Sequence, residues 1–204
     1  MALLGASFSS SSQTLCNCEP TTEINNQQRT VAKHEANYDD FNLKADTIRV
    51  SYINKWQKKF TAITNTITTH AGSANPLRQP ESPEDTLYIL KGYLWFVKVE
   101  DNDCDFHMEI GPRNVLGNRI IVEVPQENTD MQEKIKHHLD SLGEKIMNCG
   151  TTNIKIAHFD KPYPVIVIGL GFYDASHAPN TSHGDVHTKR YSWELHPVRQ
   201  IIFL

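Results

Sequence analysis

Thr86 to Val99 (TLYILKGYLWFVKV) is a run of 14 residues dense in Tyr, Leu, Ile, Trp, Phe and Val, with no proline. Aromatic and β-branched side chains suit a pleated, packed surface, so this run reads as one long strand. Glu100–Asp103 makes a turn, and Cys104 to Ile110 forms a second strand. Phe106, Met108 and Ile110 fall on one of its faces, Asp105, His107 and Glu109 on the other. Gly111 to Asn118 turns again, and a third strand, Arg119 to Val124, is stopped by Pro125. A helix is predicted from about Asp130 to Met147, capped by Thr129 or Asp130, with Met131, Ile135, Leu139, Leu142 and Ile146 as its buried stripe. Val165 to Tyr173 is a fourth strand and Tyr191 to Phe203 a fifth.

Three strands, a helix and two more strands, led by a long bent strand, resemble the OB-fold over residues 84–204. The expected fold class is therefore mainly β: a five-stranded OB-like barrel with a helix between strands three and four. In that layout the loops Glu100–Asp103 and Ala175–Arg190 flank the usual ligand face.

Upstream, residues 1–44 are rich in Ser, Thr, Asn and Gln and read as a disordered or loosely ordered tail. Residues 45–69 read as an amphipathic helix that packs on the barrel, because Ile48, Tyr52, Trp56, Phe60, Ile63 and Ile67 recur at spacings of three and four. Residues 70–83, with Pro76, Pro80 and Pro83, read as a linker. Net charge is −4, which disfavours non-specific duplex binding. Lys55, Lys58 and Lys59 read as a solvated helix face. No apolar run reaches the ~20 residues of a membrane span, and the N-terminus makes a poor signal peptide. Cys16, Cys18, Cys104 and Cys149 read as free thiols, and a soluble, cytoplasmic protein is the preferred expectation.

Two short stretches carry chemistry. Asp105-Phe106-His107 and Glu194-Leu195-His196 each put an acid two positions before a histidine on a strand, hence on the same face. Taken singly, each is a polar strand face with charge pairing. On strands two and five they fall beside the two loops of the ligand face, with Asp174 and His177 close by. The candidate catalytic residues are His107, His196, Glu194, Asp174 and Asp105. His107, His196, Glu194 and Asp174 are the candidate ligands for a divalent metal such as zinc or manganese. His183 and His187 read as part of a loop. Gly169 and Gly171 imitate a dinucleotide fingerprint, but Asp174 takes its third position and too few residues remain. They are expected to permit a bulge or bend.

Arg119-Ile-Ile-Val-Glu123-Val-Pro125, preceded by Asp103-x-Asp105, is similar to the third-strand region of staphylococcal-type nucleases, themselves OB-folds. The catalytic set of those enzymes is broken here: the arginine is one residue too close, Val124 replaces a threonine and Gln126 replaces an acid. Asp103, Asp105, His107, Glu123, Pro125, Gly169, Gly171, Asp174, Glu194, His196 and Pro197 resemble the motif set of a family of small uncharacterised bacterial proteins over about the last 120 residues. That resemblance implies domain limits and no reaction.

The residues lead to a hydrolase, metal-dependent and acting on phosphodiesters, with a small-molecule or oligomeric ligand at the loop end of the barrel. The alternatives are a binding module for an oligonucleotide, oligosaccharide or peptide, with Trp95, Tyr173, Tyr191 and Trp193 as stacking surfaces, or an interaction scaffold assembled through the helix.

Overall fold

A computed structural model of the chain describes residues 42–53, 55–56, 83, 86–100, 103–114, 118–144, 157–174 and 193–204. In chain order these hold β1 (Asn42–Arg49), α1 (Val50–Ile53), β2 (Thr86–Val99), β3 (Phe106–Gly111), β4 (Ile120–Val124), α2 (Thr129–Ser141), β5 (Ala157–Tyr173) and β6 (Trp193–Phe203). The tail at residues 1–41, most of the linker, Lys58, Lys59, His177, His183, His187 and Tyr191 lie outside the described residues.

Five strands close a barrel. β2 pairs antiparallel with β3, and β3 with β4; β4 runs parallel to β6, β6 antiparallel to β5, and β5 returns to β2. With α2 between β4 and β5, this is the OB circuit. Closure depends on β2, which is long enough to serve β3 and β5 together. Its register slips between Leu94 and Phe96 against both partners, which is how a strand bends around a small barrel. β5 is longer than expected, beginning at Ala157 rather than Val165, because it follows β2 along most of its length.

The amphipathic helix expected over 45–69 begins instead as a strand. Asn42 and Asp46–Arg49 pair in parallel with Thr86 and Tyr88–Lys91 of β2. β3 covers β2 only from Tyr93 onward, so the first half of that edge needs a partner. A paired edge outweighs a helical spacing of apolar residues. One helical turn, α1, follows, and positions 57–69 lie outside the described residues. The expected packing holds for Ile48 and Trp56, which are buried in the core, but Tyr52 is exposed. Trp56 sits 4.8 Å from Tyr88 and 5.5 Å, edge-on, from Trp193, completing one aromatic end of the core.

Inside the barrel, Leu90, Leu94, Phe106, Met108, Ile110, Val122, Val167 and Leu195 pack with Ile135 and Leu139 of α2. The helix is shorter than predicted, and its cap differs: Asn128 holds the N-cap position without a side-chain bond, and Leu142 is exposed. Gly169 and Gly171 lie at register shifts against β6, as bulge residues do. A Cβ at Gly171 would collide with the Pro83 carbonyl, so that position requires glycine for close approach. Among the described residues, no helix is long and apolar enough to cross a membrane.

Candidate metal centre

β3, β4 and β6 send alternate residues into the core and leave a second set on the opposite face. On β3 and its approach that set is Asp105, His107 and Glu109; on β4 it is Ile121 and Glu123; on β6 it is Glu194 and His196. Strand register brings them together. His107 stands opposite Glu123 in the β3–β4 pair and opposite Lys98 in the β2–β3 pair. Leu195 partners Val122, which sets Glu194 and His196 beside Glu123. Phe172 partners Glu194 from the other side. The face formed by β3 and β4 is the one on which OB barrels hold ligands.

These polar residues are as buried as the core. Asp105 and His107 are 0 % exposed, Glu194 and His196 1 %, and Glu123 4 %. Burying ionisable groups is costly unless they are paired, and here they are. His107 Nδ1 donates to Glu123 Oε1 at 2.9 Å and lies 3.2 Å from Glu100 Oε1. His196 Nδ1 lies 2.8 Å from Glu123 Oε2 and 3.2 Å from Glu194 Oε1, and its Nε2 faces Asp105 Oδ2 at 3.3 Å. One carboxylate, Glu123, therefore gives one oxygen to each imidazole.

The surroundings fix these groups. The amide of Gln126 donates to Asp105 Oδ1 at 2.9 Å, which leaves Oδ2 turned to His196. Buried Gln132 of α2 donates to the carbonyls of Cys104 and Val124, tying the start of β3 to the end of β4. The β2–β3 turn closes through Glu100 N to Asp105 O and Cys104 N to Glu100 O, with Cys104 in the left-handed region at φ 64°. Cys104 is disulfide-bonded, which corrects the free-thiol expectation at that position. Phe96 meets the His107 ring edge-on at 6.0 Å, and Phe172 lies 5.6 Å from the His196 ring.

Protonation follows the pairing. Burial opposes a charge on His107, but its bonds to Glu100 and Glu123, with their negative charge, outweigh burial and lift its pKa from 6.5 to about 9. Burial likewise opposes a charge on His196, and Asp105, Glu123 and Glu194 together hold its pKa well above the usual value. Glu100 feels burial pushing upward, but His107 and Lys98 bring its pKa down to about 2. Lys98 Nζ is 2.6 Å from Glu100 Oε1, and Glu100, with its side chain 29 % exposed, is where the cluster meets solvent.

Two triplets have their donor atoms within 4.8 Å of one another: Glu100, His107 and Glu123, and Asp105, Glu123 and His196. Donors ~2.1 Å from one ion stand about 3.0–3.4 Å apart at adjacent positions and about 4.2 Å apart at opposite ones. The His107 contacts of 2.9 and 3.2 Å match adjacent positions.

Asp105, His107, Glu194 and His196, anticipated from the sequence, thus come together. His107 and His196 enter different triplets joined by Glu123. Glu194 contacts His196 but joins neither triplet, and Asp174, buried at the end of β5, joins neither. Glu100 is not marked by the sequence, and Glu123 enters there through the two resemblances and as a carboxylate alone in the apolar run Ile120-Ile-Val-Glu-Val124, without being named a site residue. Of the anticipated stacking residues, Tyr173 and Trp193 are core residues, and Trp95 covers the Arg119 guanidinium at 4.8 Å. In comparisons with known proteins, no family model, curated protein or solved structure matches the chain.

Proposed function

We propose that this chain is a metal-dependent hydrolase acting on phosphodiesters. Its catalytic divalent ion, zinc or manganese, would be held by Glu100, His107 and Glu123. The observation that carries this reading is the solvent-side triplet: two carboxylates and one imidazole, at separations suited to one ion, beside the partly exposed Lys98. Three protein donors leave positions open for water and substrate. Oxygen and imidazole donors suit manganese and zinc.

A divalent ion held there would supply Lewis acidity and lower the pKa of a water. Hydrolysis of a diester would break the bond from phosphorus to the departing ester oxygen, a water oxygen taking its place and the water's proton passing to the departing alcohol. One water is consumed, and a phosphomonoester and an alcohol are formed. Lys98 sits where it would offset charge on an anionic substrate. His196 meets Glu123 from the far side and is itself contacted by Glu194 and Asp105, and Asp174 stands at the neighbouring strand end.

The test is hydrolysis of bis-p-nitrophenyl phosphate by the full chain loaded with Mn²⁺ or Zn²⁺. Chelation is expected to abolish turnover, and His107→Ala to lower it about 100-fold or more while the barrel still melts cooperatively. Turnover no faster than that of the free metal ion would refute the proposal.

A further inference from the structure

The imidazole of His196 meets carboxylates at both of its nitrogens. Nε2 faces Asp105 Oδ2 at 3.3 Å, and Nδ1 lies 2.8 Å from Glu123 Oε2 and 3.2 Å from Glu194 Oε1. Carboxylates aimed at different nitrogens of one ring surround the ring and do not converge on one ion. Each nitrogen instead has an acceptor for an N–H, so the ring is built as a two-ended donor. We infer that His196 is the positioning residue of the metal centre: it holds Oε2 of Glu123 and so presents Oε1 alone to the ion at Glu100 and His107. This rests on the hydrolase reading for that ion and says what sets its coordination.

Glu123 divides its two oxygens: Oε1 lies 2.9 Å from His107 Nδ1, and Oε2 lies 2.8 Å from His196 Nδ1. A carboxylate with one oxygen engaged from behind offers an ion the other. That leaves more positions for water and substrate than chelation by both oxygens would. The His196 ring is itself set by its surroundings. The Gln126 amide holds Asp105 Oδ1, which leaves Oδ2 turned to Nε2. Phe172 lies 5.6 Å from the ring and is registered opposite Glu194 in the β5–β6 pair. The contact with Glu123 also falls on the seam of the barrel. β4 and β6 register at Val122 and Leu195, the residues next to Glu123 and His196. The placing of Oε2 therefore follows from how the barrel closes. Carboxylates that ligate a metal are themselves held by hydrogen bonds of this kind, and losing one costs about 10–100-fold in metal affinity.

Zn²⁺ alone is the probe, added to the full chain. Nitrogen-15 spectra of the histidine side chains should show His107 taking the ion at Nδ1 while His196 keeps a proton on each nitrogen. In calorimetric titration His196→Ala should weaken Zn²⁺ binding about 10–100-fold. His196→Asn, whose amide nitrogen takes the place of Nδ1, should recover most of that loss, which a merely space-filling role would not predict. Zn²⁺ on His107 with His196 stripped of its Nδ1 proton overturns the positioning role and leaves the hydrolase reading standing. So does a folded His196→Ala that binds as tightly as the wild type, or a folded His196→Asn that binds as weakly as His196→Ala. Absence of bound Zn²⁺, or binding that leaves His107 unchanged, overturns both. The wild-type spectra decide the question even if a variant fails to fold.

Discussion

Glu109 and Arg119 form an ion pair 3.0 Å long, wholly buried, with the Trp95 ring over the guanidinium. Two residues back along β3 on the same face, His107 begins the cluster that runs through Glu123 to His196. Both groups are buried charge, but they differ in balance. In the first, a carboxylate meets a guanidinium, which cannot give up its proton and cannot ligate a metal. In the second, among the described residues, four carboxylates (Glu100, Asp105, Glu123 and Glu194) gather round two imidazoles with Lys98 at the rim. Imidazoles can release their protons and become ligands. The first group is a fixed ion pair; the second is a set of donor atoms spaced as a metal's ligands are.

The largest effect should separate the two on stability. Arg119→Ala leaves Glu109 buried without that partner and should cost about 3–5 kcal/mol in urea unfolding, with metal content unchanged. Replacing both partners by apolar residues should recover much of that loss. If Arg119→Ala also strips the metal, the two groups are one network and the comparison fails.

Next comes pH. The folded pKa of His107 is about 9 against 6.5, so its contribution is full below about pH 6.5 and is lost as pH rises through about 9. His196 shifts in the same direction. Glu100 moves the other way, contributing above 4.5 and losing that contribution as pH falls through about 2. The metal-free chain should be most stable between about pH 4.5 and 6.5 and lose up to ~3 kcal/mol by pH 9. Loading with metal should reverse that alkaline slope, because ions bind the deprotonated imidazoles. Urea midpoints across pH, with and without Zn²⁺, check it.

Glu123→Gln should weaken metal binding about 100-fold, equivalent to ~2.7 kcal/mol. Calorimetric titration reads it directly. The smallest effect belongs to Lys98→Ala, since the Lys98–Glu100 pair is partly exposed. Stability should change by less than ~1 kcal/mol. KM for an anionic diester should rise with kcat largely kept, as for a group that binds substrate and transition state alike.

Much of the barrel is legible in the amino-acid sequence. Strand Thr86–Val99 has the limits that its apolar run predicts, because its composition and length allow little else. The order of elements is enough for the OB circuit, and the glycines of β5 form bulges as their place in a strand implies. The segment at 45–69 is not legible in this way. Its helical spacing is real in the sequence, but strand pairing at Asp46–Arg49 depends on an edge of β2 more than thirty residues away.

The acid-x-His pairs show the same limit within the site. Alternation along a strand places each acid and histidine on one face from the sequence alone. Glu123 differs: its importance comes from standing between His107 and His196, and that relation exists only once β4 is paired with β3 and β6. Sequence by itself determined the places of the five barrel strands along the chain, the apolar face and the donor types, because these follow from local composition and period. The tertiary structure decided which face the donors share, that this face is buried, and that one carboxylate joins two imidazoles, because register and closure are set by contacts between distant strands.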